Sequence, residues 1–127
     1  MPNPKYFQAT FKRLKGVLQK YDRRLTVTTD KPGIYYLDAA YSEKYKTVVF
    51  FGAVMIKKNY VSFHLFPVYA FPELLKGISP ALKKRMQGKS CFNFTTIDDA
   101  MLEELAALTK QGVEQFKKEG WTLTIRQ

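Results

Sequence analysis

The stretch that most constrains what this chain can fold into runs from Thr47 to Phe66, TVVFFGAVMIKKNYVSFHLF, where two apolar segments flank Lys57-Lys58-Asn59. It reads as a β-hairpin at the centre of a sheet. The first arm, Thr47 to Ile56, is apolar almost without a break, the pattern of a strand covered on both faces. Gly52 interrupts it and marks a bulge or a close approach by another chain or a ligand. The second arm alternates, with Val61, Phe63 and Leu65 on one face and Tyr60, Ser62, His64 and Phe66 on the other. Lys57-Lys58-Asn59 suits a tight turn, because asparagine tolerates positive φ and the lysines stay in water.

The remaining segments are expected to pack around this hairpin. Residues from about Pro4 to Tyr21 form an amphipathic helix, with Phe7, Phe11, Leu14 and Leu18 at helical spacing, Asn3 as its cap and Gly16 as a mark of close packing on the sheet. Leu25 to Thr29 and Ile34 to Asp38 are strands joined by the turn Asp30-Lys31-Pro32-Gly33, and Ala39 to Lys46 is a polar connection. After Phe66, a helical turn over Glu73 to Lys76 ends at Gly77. A short helix capped by Ser79 then runs through Leu82 and Met86 to Gly88. Ser90 to Thr95 is a fifth strand. Thr96 opens a capping box with Asp99 for a last long helix reaching about Glu119, and WTLTI suggests a short tail strand.

This order describes an α+β fold over residues 1–127 as a single domain. Its antiparallel sheet has about five strands, long N-terminal and C-terminal helices pack on it, and short helices precede the last strand. The chain has 127 residues, enough for one core without metal or disulfide staples. Its single cysteine, Cys91, excludes an intramolecular disulfide framework and suits a reducing compartment. The opening MPNPKYF lacks a signal-peptide core, and the longest apolar run is about half of the ~20 residues a membrane helix needs. The expectation is a cytoplasmic protein with no membrane partner.

The formal net charge of +10 is unevenly spread. Residues 1–24 hold seven basic residues against Asp22, whereas residues 95–120 hold six acids and three lysines. Lys5, Lys12, Arg13, Lys15 and Lys20 form a basic helical surface that could track phosphates or attract an acidic protein partner. No nucleic-acid motif accompanies it. The only carboxylate cluster is Asp98, Asp99, Glu103 and Glu104, whose first-turn acids also offset a helix dipole.

FGAVMIKKNYVSFHLFPVY (51–69), ELLKGISPALKKRMQGKSCFNF (73–94) and the terminal helix resemble the YdhG-like family of bacterial domains of unknown function. The resemblance spans about Tyr6 to Trp121, and Gly88 to Phe94 is its most specific part. It implies a frataxin-like α-β-α fold and, from one branch of the family, an iron chaperone. Iron is thus the one cofactor it implies. Hard oxygen ligands or imidazole would bind it, here Asp98, Asp99, Glu103 or His64. The first helix departs from frataxin-type iron binding, because lysine and arginine stand where an acidic ridge is needed.

Tyr60, Ser62, His64, Tyr69, Lys89 and Cys91 are the candidate pocket residues, suited to a small anionic ligand. The same aromatics also suit a second core layer or a homodimer seam on the open sheet face. Catalysis would need His64 and Cys91 within hydrogen-bond reach of one another, and Lys89 could lower the thiol pKa if close. Gly88-Lys89-Ser90 is not a phosphate loop, since Lys83 stands at the first glycine position and a strand follows. The sequence therefore suggests a binding or accessory module rather than an enzyme.

Overall fold

A computed structural model describes residues 4–122. The chain opens with a 3-10 turn, Pro4–Tyr6, and helix α1, Phe7–Gln19, followed by strands β1 (Thr26–Lys31), β2 (Ile34–Ser42), β3 (Thr47–Ile56) and β4 (Val61–Leu65). Helix α2 (Phe66–Ala70), a 3-10 turn over Pro72–Gly77 and helix α3 (Pro80–Lys83) come next. Strands β5 (Met86–Gln87) and β6 (Cys91–Phe94) precede helix α4 (Asp99–Lys118). The fold is α+β, with an open sheet in the order β1-β2-β3-β4-β6-β5 whose described pairings are all antiparallel. Among the described residues no helix is long and apolar enough to cross a membrane.

Six strands replace the expected five, because the segment through Met86 is not helical: α3 ends at Lys83, and Met86–Gln87 pairs with β6. β2 is also longer than its apolar run, continuing through Ser42 into the segment read as a polar connection. Helix α1 begins at Phe7, and Tyr6 at its N-cap position makes no side-chain cap hydrogen bond. The proposed Asn3 cap lies outside the described residues, as does most of the WTLTI tail. At α4 the cap is Asp98 rather than Thr96, its carboxylate accepting from the Met101 amide at 2.8 Å. Ser79 does cap α3, accepting from Leu82 N–H at 3.1 Å.

The central hairpin is as its alternation requires. Phe63 pairs with Val54 and Leu65 with Gly52, on the face carrying the core. Ser62 pairs with Met55 and His64 with Ala53 on the opposite face. Helices α1 and α4 both bury their apolar stripes against the core face, through Phe11, Leu14 and Leu18 from one and Leu105, Leu108 and Phe116 from the other. Phe51 meets Phe116 edge to face, with ring centroids 5.4 Å apart. The β2–β3 register slips there, Leu37 facing Gly52 while Asp38 faces Phe50, so Phe51 and Gly52 form the bulge expected at the glycine. A Cβ on Gly52 would lie 2.8 Å from the His64 carbonyl oxygen and 3.3 Å from Leu18, so the close approach at this glycine is made from within the chain, by β4 and α1, and not by another chain or a ligand. Gly16 is the reverse: a Cβ there meets nothing within 4 Å, and it marks no close packing.

Among the described residues no long helix lies on the other sheet face. β3 is apolar on both sides, yet its second face is covered only by neighbouring strands and the short helix α2. Ala53 is fully buried, between its cross-strand partners Tyr36 and His64.

Candidate functional site

The face without a long helix is built from two rungs of side chains. Pairing places Tyr36, Ala53, His64, Cys91 and Gln87 in one rung and Ile34, Met55, Ser62 and Asn93 in the next. His64 and Cys91 are direct cross-strand partners, with His64 Nε2 3.9 Å from Cys91 Sγ. The Cys91 thiol donates to Asn93 Oδ1 at 3.3 Å, and Asn93 Nδ2 donates to Gln87 Oε1 at 2.5 Å. Ser62 is buried and donates to the Met55 carbonyl at 3.4 Å.

This arrangement favours neutral groups. Burial lowers the His64 pKa, and Lys57 lowers it further. Burial also raises the Cys91 pKa, against a smaller opposing effect from Lys57. The cation acting on the thiol is thus Lys57, not Lys89, and desolvation outweighs it. A thiol that donates to an amide oxygen, beside an imidazole held neutral, is a packed polar pair rather than a thiolate–imidazolium nucleophile.

A chain of aromatic rings crosses the same face. Tyr36 and Phe50 have centroids 4.7 Å apart, Phe50 and Phe66 6.3 Å, and Phe66 and Tyr69 5.5 Å. Lys89 Nζ lies 5.9 Å from the Tyr69 ring centroid and ends the chain. α2 makes this possible by using two sides: Pro67 and Val68 are buried, with Pro67 against Gly112 of α4, while Phe66 and Tyr69 line the open side. Burial raises the pKa of Asp38 and of Tyr36 on this face, with Asp38 adding to the effect on Tyr36.

The six sequence candidates therefore divide. Ser62, His64 and Cys91 share the face. Tyr69 and Lys89 meet nearby and line a groove of about 420 Å³ with Leu75 and Met86. Tyr60 lies in the β3–β4 turn, its carbonyl accepting from Lys57 N–H at 2.8 Å. Asn93 was legible from its alternation with Phe92 and Phe94. Phe66 was legible from the alternation that set it with Ser62 and His64, whereas Tyr36 and Phe50 carry no local signal that separates them from core aromatics.

The carboxylates proposed for iron lie elsewhere. Asp98 caps α4, and Asp99 pairs with Arg13 of α1, which also donates to the Ile97 carbonyl. His64 sits on the opposite side of the sheet from these groups. Glu104 accepts from Ser79 N–H and Oγ at 2.5 and 2.6 Å. Among the described residues no group of three or more His, Cys, Asp or Glu could hold a metal ion.

The basic surface of α1 is partly committed as well. Arg13 is paired, and Lys15 bonds Asp30 at 2.8 Å. Lys12 is exposed. Lys20 joins Arg24, Lys110 and Lys117 around a groove of about 370 Å³ in which Glu114 is the acid. The nominally acidic last helix thus adds cations to the end of the first.

No protein-family model matches the chain, no curated protein matches it, and no solved structure matches it.

Proposed function

We propose that this chain is a noncatalytic binding module, YdhG-like in sequence and cytoplasmic in setting, whose working surface is the sheet face without a long helix. The observation that carries this reading is the aromatic chain Tyr36–Phe50–Phe66–Tyr69 on a face that no long helix covers. A second core layer is the usual fate of such residues, and exposed apolar area of this kind is the usual mark of a partner site. The neutral His64–Cys91 pair gives the face polar contacts without a nucleophile.

Amide NMR during titration with anilinonaphthalene sulfonate tests the reading. Shifts are expected around Val48, Phe50, Phe66 and Tyr69 in the folded protein. Shifts confined to the α1–α4 side, or none, overturn it. Alkylation of Cys91 by iodoacetamide supplies the second arm: the rate should rise only at or above ordinary thiol pKa values, and a fully reactive thiolate at neutral pH would reinstate catalysis.

The basic-surface reading retains one observation, the four cations lining the groove between α1 and α4. Salt-sensitive heparin binding lost in Arg24→Glu but kept in Lys12→Glu would support it, and equal loss in both would reduce it to general charge.

A further inference from the structure

Within the open face, one groove combines an apolar seat with two tyrosines whose rings each have a lysine beside them, Lys89 itself lining the neighbouring groove. It has a volume of about 200 Å³ and lies between the start of β3 and α2, lined by Val48, Phe50, Phe66 and the two tyrosines Tyr45 and Tyr69. A cavity of about 150 Å³ accepts benzene, so there is room for one phenylalanine- or leucine-sized group. Tyr45, Val48 and Tyr69 are 44%, 50% and 51% exposed, which places three of the chain's exposed large apolar side chains around a single opening.

Each tyrosine lip carries a lysine. Lys44 Nζ is 5.5 Å from the Tyr45 centroid and Lys89 Nζ 5.9 Å from that of Tyr69. Lys46, in the same turn as Lys44, has Glu43 at 4.0 Å, whereas no described carboxylate forms an ion pair with Lys44 or Lys89. An apolar floor with a lysine beside each of its two tyrosines suits an occupant that presents an apolar group to the floor and negative charge next to it.

We infer that this groove seats an acidic peptide segment of a partner protein, anchored by one aromatic or aliphatic side chain with carboxylates flanking it. The inference rests on the open-face reading above and names its partner class. A nucleobase fits less well, because its hydrogen-bonding edges would meet a floor where Thr47 and the tyrosine hydroxyls are the only polar side-chain groups. A second copy fits less well, because face-to-face packing would bring two like-charged lysine rims together in a chain of net charge +10. An acidic peptide satisfies both the floor and the rim, and an apolar anchor in a desolvated pocket is the usual source of affinity in such contacts.

The test is selection of a random peptide library on the full chain, with affinities measured by fluorescence anisotropy against wild type, Val48→Glu, Lys44→Glu and Lys89→Glu. All three substituted positions are exposed, so the variants should keep the wild-type circular dichroism. Expected are peptides with a Phe, Leu or Ile among acids, binding lost in Val48→Glu, and a weakening of about tenfold in each lysine variant that grows at low salt. Peptides without acids that need Val48 but ignore Lys44 and Lys89 overturn the acidic partner and leave the open-face reading intact. Peptides indifferent to Val48→Glu, or no enrichment, overturn the groove as a peptide seat. Oligothymidylate binding lost in the same variants makes the partner nucleic acid, and a sedimenting dimer dissolved by Val48→Glu makes it a second copy. Either result overturns the proposal.

Discussion

His64 and Cys91 face each other across β4 and β6, with Nε2 and Sγ 3.9 Å apart and the thiol hydrogen engaged by Asn93. Both side chains are half-buried, and burial shifts both toward their neutral forms. The pair stays uncharged between the ordinary values of its two members, which fixes how stability should respond to pH.

For His64 the folded pKa lies below the reference value of 6.5, so the unfolded chain binds more protons as acid is added. Wild type should lose stability relative to His64→Gln as pH falls through and below about 6.5. For Cys91 the folded pKa lies above the reference value of 9.0, so the unfolded chain releases its proton first. Wild type should lose stability relative to Cys91→Ser as pH rises past about 9. Urea midpoints of the three proteins across pH check both slopes, and parallel profiles would contradict them.

Glycine substitutions should separate by environment rather than by secondary structure. Gly16→Ala lies in a helix with open space at the new Cβ and should stabilise by about 0.5–1 kcal/mol. Gly112→Ala, also helical, would place a methyl 2.8 Å from the Pro67 ring and should cost about 1–3 kcal/mol. Gly52→Ala meets the His64 carbonyl at 2.8 Å and should cost a similar amount. Denaturant unfolding of the three variants gives the signs directly.

Tyr35 is 1% exposed, and its hydroxyl has no hydrogen-bond partner among the described residues. Burial, with smaller contributions from Asp22 and Asp30, pushes its pKa up to about 12. Replacing a buried, unsatisfied hydroxyl with hydrogen removes a desolvation cost, so Tyr35→Phe should be neutral or stabilise by up to about 1 kcal/mol. Ultraviolet titration should show one tyrosine ionising near pH 12 in wild type and missing in the variant. A destabilisation of several kcal/mol would mean that the hydroxyl is satisfied.

Glu104 holds the start of α3 by accepting from both Ser79 N–H and Ser79 Oγ, while Ser79 Oγ accepts from Leu82 N–H. Glu104→Ala should cost about 1–3 kcal/mol by leaving part-buried donors unpaired. Asp99→Ala, removing a partner of Arg13 that is 91% exposed, should cost less than about 1 kcal/mol. Amide exchange at Leu82 distinguishes them, since only the first variant should accelerate it.

Local chemistry in the sequence determined the central hairpin, the two long helices, the bulge at Gly52 and the face on which Ser62 and His64 stand. Those features follow from apolar periodicity, from side chains alternating along a strand and from glycine's lack of a Cβ, all readable within a few residues. The short strand β5 was not legible, because Met86–Gln87 is extended only through its ladder to β6. Tertiary structure decided which distant residues meet. The β4–β6 register set Cys91 opposite His64, helix packing brought Lys110 and Lys117 to Lys20 and Arg24, and the docking of α2 placed Phe66 against Phe50 and Tyr69 beside Lys89. Glu104 is the clearest case. In sequence it belongs to a solvated acidic cluster, and in the fold it holds the cap residue of another helix, because a hydrogen bond spanning 25 residues depends on packing that no local pattern encodes.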